Sequence, residues 1–143
     1  MKLFLIFLFL TAGLFAADAT EAAKKLGAMN NYETAIHKAQ AEKKMLVMVI
    51  VKEHCRWCEK LIDRTLSEPE VKKALENDIL LIVDRNAPYP SDFNEGFFPS
   101  TFFIDYSTGK SVYESAGYVG KKCFLNDLHE SQKIRDSLYN SEK

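Results

Sequence analysis

Between residues 31 and 140 the hydrophobic positions switch repeatedly between a helical period and unbroken apolar runs. Asn31 is followed by Tyr32, Ala35, Ile36 and Ala39, a series at helical spacing that ends at the charged stretch Glu42-Lys43-Lys44. This predicts a helix with one apolar face and Asn31 as its N-cap. Met45 to Val51 is continuous, apolar and rich in β-branched residues, the signature of a central strand covered on both faces. Lys52-Glu53-His54-Cys55 follows, and then Trp57, Leu61, Ile62 and Leu66 return to helical spacing. Glu68-Pro69 interrupts them before Val71, Ala74 and Leu75, and a residue before proline avoids the helical region, so two helical segments should meet there. Ile79 to Val83 reads as a second buried strand, closing a βαβ unit expected to be right-handed.

From Arg85 to Pro99 the chain holds Pro88, Pro90, Gly96 and Pro99, which predicts a loop with at most a helical turn around Ser91 to Glu95. Thr101 to Asp105 and Ser111 to Ala116 flank a turn containing Gly109, the pattern of a β-hairpin. Lys121 to Leu138 places Phe124, Leu125, Leu128, Ile134 and Leu138 near one face of a terminal helix. The predicted order is α, β, α, β, loop, β, β, α: an α/β fold whose central mixed sheet of about four strands is flanked by helices.

The first residues obey another rule. Lys2 is followed by a nearly unbroken run of Leu, Phe, Ile and Ala from Leu3 to Phe15. Its 13 residues fit the roughly 7 to 15 of a signal-peptide core and fall short of the roughly 20 of a membrane helix. Ala16, Ala17 and Ala19 offer cleavage positions; Ala17-Asp18-Ala19 has the small-x-small form, and cleavage after Ala16 leaves Leu14 at the third position back. Residues 1–19 are therefore read as a signal peptide placing the domain in the periplasm, with an uncleaved membrane anchor as the alternative. Residues 20–30 read as a tether and 31–140 as one domain. A chain of 143 residues, 47% hydrophobic and 27% charged, suits a single globular domain. With 19 Lys plus Arg against 20 Asp plus Glu, and no basic stripe, nucleic acid is not an expected partner. No helix is left over for a dimerisation arm, so a monomer is expected.

An exported chain meets oxidising conditions, and that changes how the three cysteines read. Cys55 and Cys58 form a close pair at a strand-to-helix junction. Thiol redox chemistry needs a cysteine with a depressed pKa and a second thiol within reach. At a helix start, free backbone N–H groups favour the anion on Cys55. Arg56 adds a positive charge beside it, and Cys58, three residues on, lies on the same side of the first turn. Cys55 is then the attacking and Cys58 the resolving thiol. Haem attachment would require His where Glu59 stands. Zinc would require further ligands, and His37, His54, Cys123 and His129 lack the spacing. Copper(I) held by Cys55, Cys58 and His54, with Met45 or Met48, is chemically admissible. A purely structural bridge would close a short loop and stabilise weakly. Cys123 reads as a small buried apolar side chain on the first turn of the last helix.

The strand, Cys55-Arg56-Trp57-Cys58, the broken helix, Val83-Asp84, Phe98-Pro99-Ser100-Thr101-Phe102-Phe103-Ile104-Asp105, the Gly109-Lys110 turn and Gly117-Tyr118 together resemble the thioredoxin-like superfamily. The resemblance spans roughly residues 30 to 139 and is closest to periplasmic members such as SoxW-like proteins and the C-terminal domain of the DsbD reductant transporter. It implies that Pro99 is a cis-proline beside the cysteine pair, that the backbone of Phe98 faces an extended substrate, and that Trp57 tunes potential and partner contact. Two positions depart from the pattern. Val49 stands where thioredoxins keep a buried acid, for which Glu53 or Glu59 is either a substitute or a solvated charge. His54 stands where thioredoxins have Trp, and is either a cation that stabilises the Cys55 thiolate or an ordinary exposed imidazole. The expectation is an exported thiol:disulfide oxidoreductase that reduces specific protein disulfides, requires no cofactor, and draws electrons from a membrane thiol donor of the DsbD type. The alternative is a copper(I)-binding or redox-sensing module using the same thiols without turnover.

Overall fold

The computed structural model describes residues 18–94 and 96–141, so the proposed leader lies outside the described residues apart from Asp18 and Ala19. The elements are α1 (Ala19–Leu26), α2 (Tyr32–Glu42), β1 (Leu46–Val51), α3 (Arg56–Leu61), a π-helical turn (Ile62–Leu66), α4 (Pro69–Ala74), β2 (Ile79–Asp84), a 3-10 turn (Ser91–Phe93), β3 (Ser100–Ile104), β4 (Ser111–Ala116) and α5 (Lys121–Asn140). Four strands form one sheet in the order β2-β1-β3-β4. β1 runs parallel to β2 and antiparallel to β3, and β3 runs antiparallel to β4, giving the expected mixed sheet.

β1 explains the two-layer core. Every residue of Leu46–Val51 is buried, and successive side chains point to opposite faces of a sheet. Val47, Val49 and Val51 join one apolar cluster with Cys55, Cys58, Leu61, Phe103 and Phe124. Leu46, Met48 and Ile50 join the other, with Tyr32, Ala35, Ile36 and Ala39 of α2. The cysteine pair therefore rests on one named face of the sheet, the face carrying Val49. Met48 lies on the opposite face, which removes it from any ligand set built on the cysteines.

Three local readings change. Residues 20–30 are not a tether. α1 is capped by Asp18, whose side chain accepts the Thr20 N–H, and ends at Gly27 in the left-handed conformation (φ 65°). Ala19, Ala22 and Ala23 are buried against the cysteine-side cluster. Beyond the helix, Met29 donates its N–H to Leu80 O and accepts that of Ile82, extending β2's pairing by one bridge. Small alanines carry this packing, so the pattern has no large residue to announce it. The long helix after Cys55 also breaks earlier than its proline: Ile62–Leu66 forms a π-helical turn before Pro69 opens α4 as its first residue. Finally, α5 is held by Phe124 and Leu128, whereas Ile134 and Leu138 are exposed and Cys123 faces solvent as a free thiol. Cys123 sits one position before the buried Phe124, and a step of about 100° around a helix turns it off the packed face. Among the described residues, no helix is long and apolar enough to cross a membrane.

Candidate active site: a disulfide at a helix N-terminus

β1 ends at Val51, and the chain must turn sharply to start α3. His54 makes that turn in the left-handed region (φ 53°), which histidine enters more readily than most non-glycine residues. Its side chain is left exposed. Cys55 then occupies the N-cap of α3, and its Sγ accepts the backbone N–H of Cys58 at 3.2 Å. One of the orphan donors of the helix start is thereby directed at sulfur. The Cys55 carbonyl accepts the Glu59 N–H at 3.1 Å, completing the first turn. Cys55 and Cys58 are joined as a disulfide with their Cα atoms 5.2 Å apart. Cys55 retains 5% exposure and Cys58 none, so both are buried and the first is the less deeply enclosed.

A pocket of about 300 Å³ opens beside the bridge, lined by Trp57, Phe98, Gly117 and Tyr118. Trp57 is half exposed and stacks on Tyr118 with ring centroids 5.8 Å apart. Tyr118 is held from below because Thr65 Oγ1, in the π-helical turn, donates to the neighbouring Val119 carbonyl at 2.8 Å. Opposite them, the Phe98–Pro99 peptide is cis, and the Pro99 carbonyl accepts the Gly117 N–H at 2.7 Å. The structure thus brings Trp57, Phe98 and the cysteines together, with Pro99 buried behind Phe98. Arg56 lies over the Trp57 ring at 5.6 Å, at the rim. His54 is the outlying member of the predicted set, exposed on the turn before Cys55.

Several neighbours escaped the sequence reading. Lys60 sits over both Trp57 (4.9 Å) and Tyr118 (4.5 Å). The signal was its position three residues after Trp57, the spacing of helix-surface neighbours. Lys52 and Arg85 each lie 5.5 Å from the Phe98 ring, a meeting of two strand ends with a distant loop that no local pattern predicts. Thr101 is the most unusual. It pairs across the sheet with Val49 and is 1% exposed. Phe103, two residues on, belongs to the cysteine-side cluster, so Thr101 shares that face. Its hydroxyl has no hydrogen-bond partner among the described residues. The position corresponding to a thioredoxin's buried acid is thus apolar Val49, and the polar atom nearby in the sheet is a neutral hydroxyl one strand away.

Fold and cysteine pair define a thiol–disulfide oxidoreductase: an α/β domain presenting a Cys-x-x-Cys bridge at the end of its central strand. The chain belongs to the family described as the thioredoxin-like domain, whose model matches residues 32–132. No curated protein sequence matches it. Among solved structures, a thioredoxin from Thermus thermophilus is similar at 22% identity and a TM-score of 0.63, covering 72% of this chain and 85% of that one. DsbH oxidoreductase is similar at 18% identity and 0.60, covering 75% and 85%. The oxidised DsbD C-terminal domain from Neisseria meningitidis is similar at 20% identity and 0.56, covering 73% and 99%. At these identities the likeness is one of fold.

An unpaired buried hydroxyl carries a desolvation penalty. Thr101→Val, which deletes it with little change of shape, should raise the stability of the oxidised protein in urea by about 1 kcal/mol. A loss of stability would show that the hydroxyl is hydrogen-bonded after all.

Proposed function

We propose that the protein is an exported reductase of specific protein disulfides in which Cys55 attacks and Cys58 resolves. The observation that carries this is the asymmetry of the pair: Cys55 caps the helix, keeps a small residual exposure and accepts the Cys58 N–H on its Sγ, while Cys58 is fully buried. In the dithiol form a thiolate at Cys55 would be stabilised by that N–H and by the helix start, with Arg56 adjacent and His54 preceding it on the turn. The thiolate attacks one sulfur of a substrate disulfide, forming a Cys55–substrate mixed disulfide and expelling the other substrate sulfur as a thiolate that takes a proton from water. Deprotonated Cys58 then attacks Cys55 Sγ, re-forming the Cys55–Cys58 bridge and releasing the second substrate thiol. Two electrons leave the protein and two protons end on the substrate. A dithiol donor must return those electrons; a membrane thiol transporter of the DsbD type fits an exported protein. No metal or organic cofactor enters these steps.

Phe98, with Pro99 behind it, and Trp57 form the two walls between which an extended substrate backbone would lie. Export rests on the apolar run Leu3 to Phe15 and on the small residues after it. The fold also bears on where the leader is cut. Cleavage after Ala19 would remove both the Asp18 cap and the buried Ala19 from α1, and cleavage after Ala16 keeps both. N-terminal sequencing of the protein recovered from the periplasm should therefore begin at Ala17 or Asp18, and a start at Thr20 would contradict this.

Trapping tests the roles of the cysteines. Cys58→Ser should accumulate a mixed disulfide on Cys55 that mass spectrometry detects without reductant, and Cys55→Ser should accumulate none and show no turnover. Equal trapping by both variants would refute the assignment.

A further inference from the structure

We infer that the physiological partner presents its reactive cysteine between acidic residues, and that Lys52, Arg85, Arg56 and Lys60 read them. This rests on the oxidoreductase reading above and goes on to specify its substrate class. Each aromatic wall of the pocket carries cations. Lys52 and Arg85 flank the Phe98 ring, each at 5.5 Å. Across the pocket, Arg56 lies over Trp57, and Lys60 lies over both Trp57 and Tyr118. The ion pairs among the described residues engage Lys25, His37, Lys38, Lys44, Lys121, Lys133 and Arg135, and none of these four. The cations around the site therefore keep their charge uncompensated by any ion pair there, although the chain as a whole has a formal net charge of -1.

Glu53, Glu59 and Asp84 alternate with these cations in sequence, so the face is not a uniform positive field. What distinguishes it is position: cations stand over both walls, on either side of the bridge. A cysteine entering the pocket would place its own apolar stem between Trp57 and Phe98. Carboxylates on the residues before and after it would then fall toward Lys52 and Arg85 on one side and Arg56 and Lys60 on the other. Such complementarity acts mainly on the rate of encounter and on the choice of partner. The aromatic rings add rigid apolar contact that tolerates many sequences.

The test uses the full exported protein, reduced beforehand with dithiothreitol, and three disulfides: hydroxyethyl disulfide, a peptide with glutamates flanking each cysteine, and the same peptide with lysines. The glutamate peptide should be reduced about tenfold faster than the lysine peptide at low ionic strength, and the difference should shrink as salt approaches 1 M. The charge reversal Lys52→Glu with Arg85→Glu should invert the preference, read as the ratio of the two peptide rates after each is divided by the same variant's rate on hydroxyethyl disulfide. Equal rates on the two peptides, with hydroxyethyl disulfide still reduced, would overturn the acidic partner. Failure to reduce any of the three would instead overturn the oxidoreductase reading.

Discussion

The contact on which the site depends is the one between Cys55 Sγ and the backbone N–H of Cys58. It exists because a strand buried on both faces hands directly over to a helix, leaving the first cysteine as the cap and the second inside the first turn. A helix start leaves its early N–H groups unpaired within the helix, and here one of them meets sulfur rather than a Ser or Asp oxygen. The same geometry sorts the thiols by exposure, since the cap residue lies at the rim and the residue three positions on points into the core.

The surrounding structure holds that junction in place and gives it walls. Val47, Val49 and Val51 provide an apolar floor. The Phe98–Pro99 segment is fixed by the Gly117 N–H on the Pro99 carbonyl, and Tyr118 is fixed through Thr65 and Val119, so both sides of the pocket are anchored to backbone. The floor itself differs from what the thioredoxin-like resemblance implies. With Val49 in place of an acid, no carboxylate sits beneath Cys58 at that position to take up its proton. The unpaired Thr101 hydroxyl, one strand over, is neutral and cannot supply a charge.

Much of this was legible in the sequence because the signals were large and local. The β1 run, the Asn31 cap with Tyr32, Ala35, Ile36 and Ala39, and the hairpin around Gly109 each carry their own pattern, and all four strands fall where the pattern puts them. Cys55 and Cys58 announced themselves by spacing. α1 did not, because its buried face is made of alanines and its cap, Asp18, comes in sequence just after the apolar run Leu3 to Phe15. Cys123 reads as buried from its residue type and its place on the first turn of the last helix, although its neighbour Phe124 takes the buried position. Lys52 and Arg85 illustrate a different limit: they meet at Phe98 only because β1 and β2 are parallel neighbours that end at the same height. Such a cluster exists only after folding.

The most direct measurement is the order in which the three thiols of the reduced protein react with iodoacetamide near pH 6, followed residue by residue through mass spectrometry. The account predicts that Cys55 is modified first, that solvent-facing Cys123 follows, and that Cys58 stays protected. Modification of Cys58 ahead of Cys55, or of Cys123 ahead of both, would contradict it.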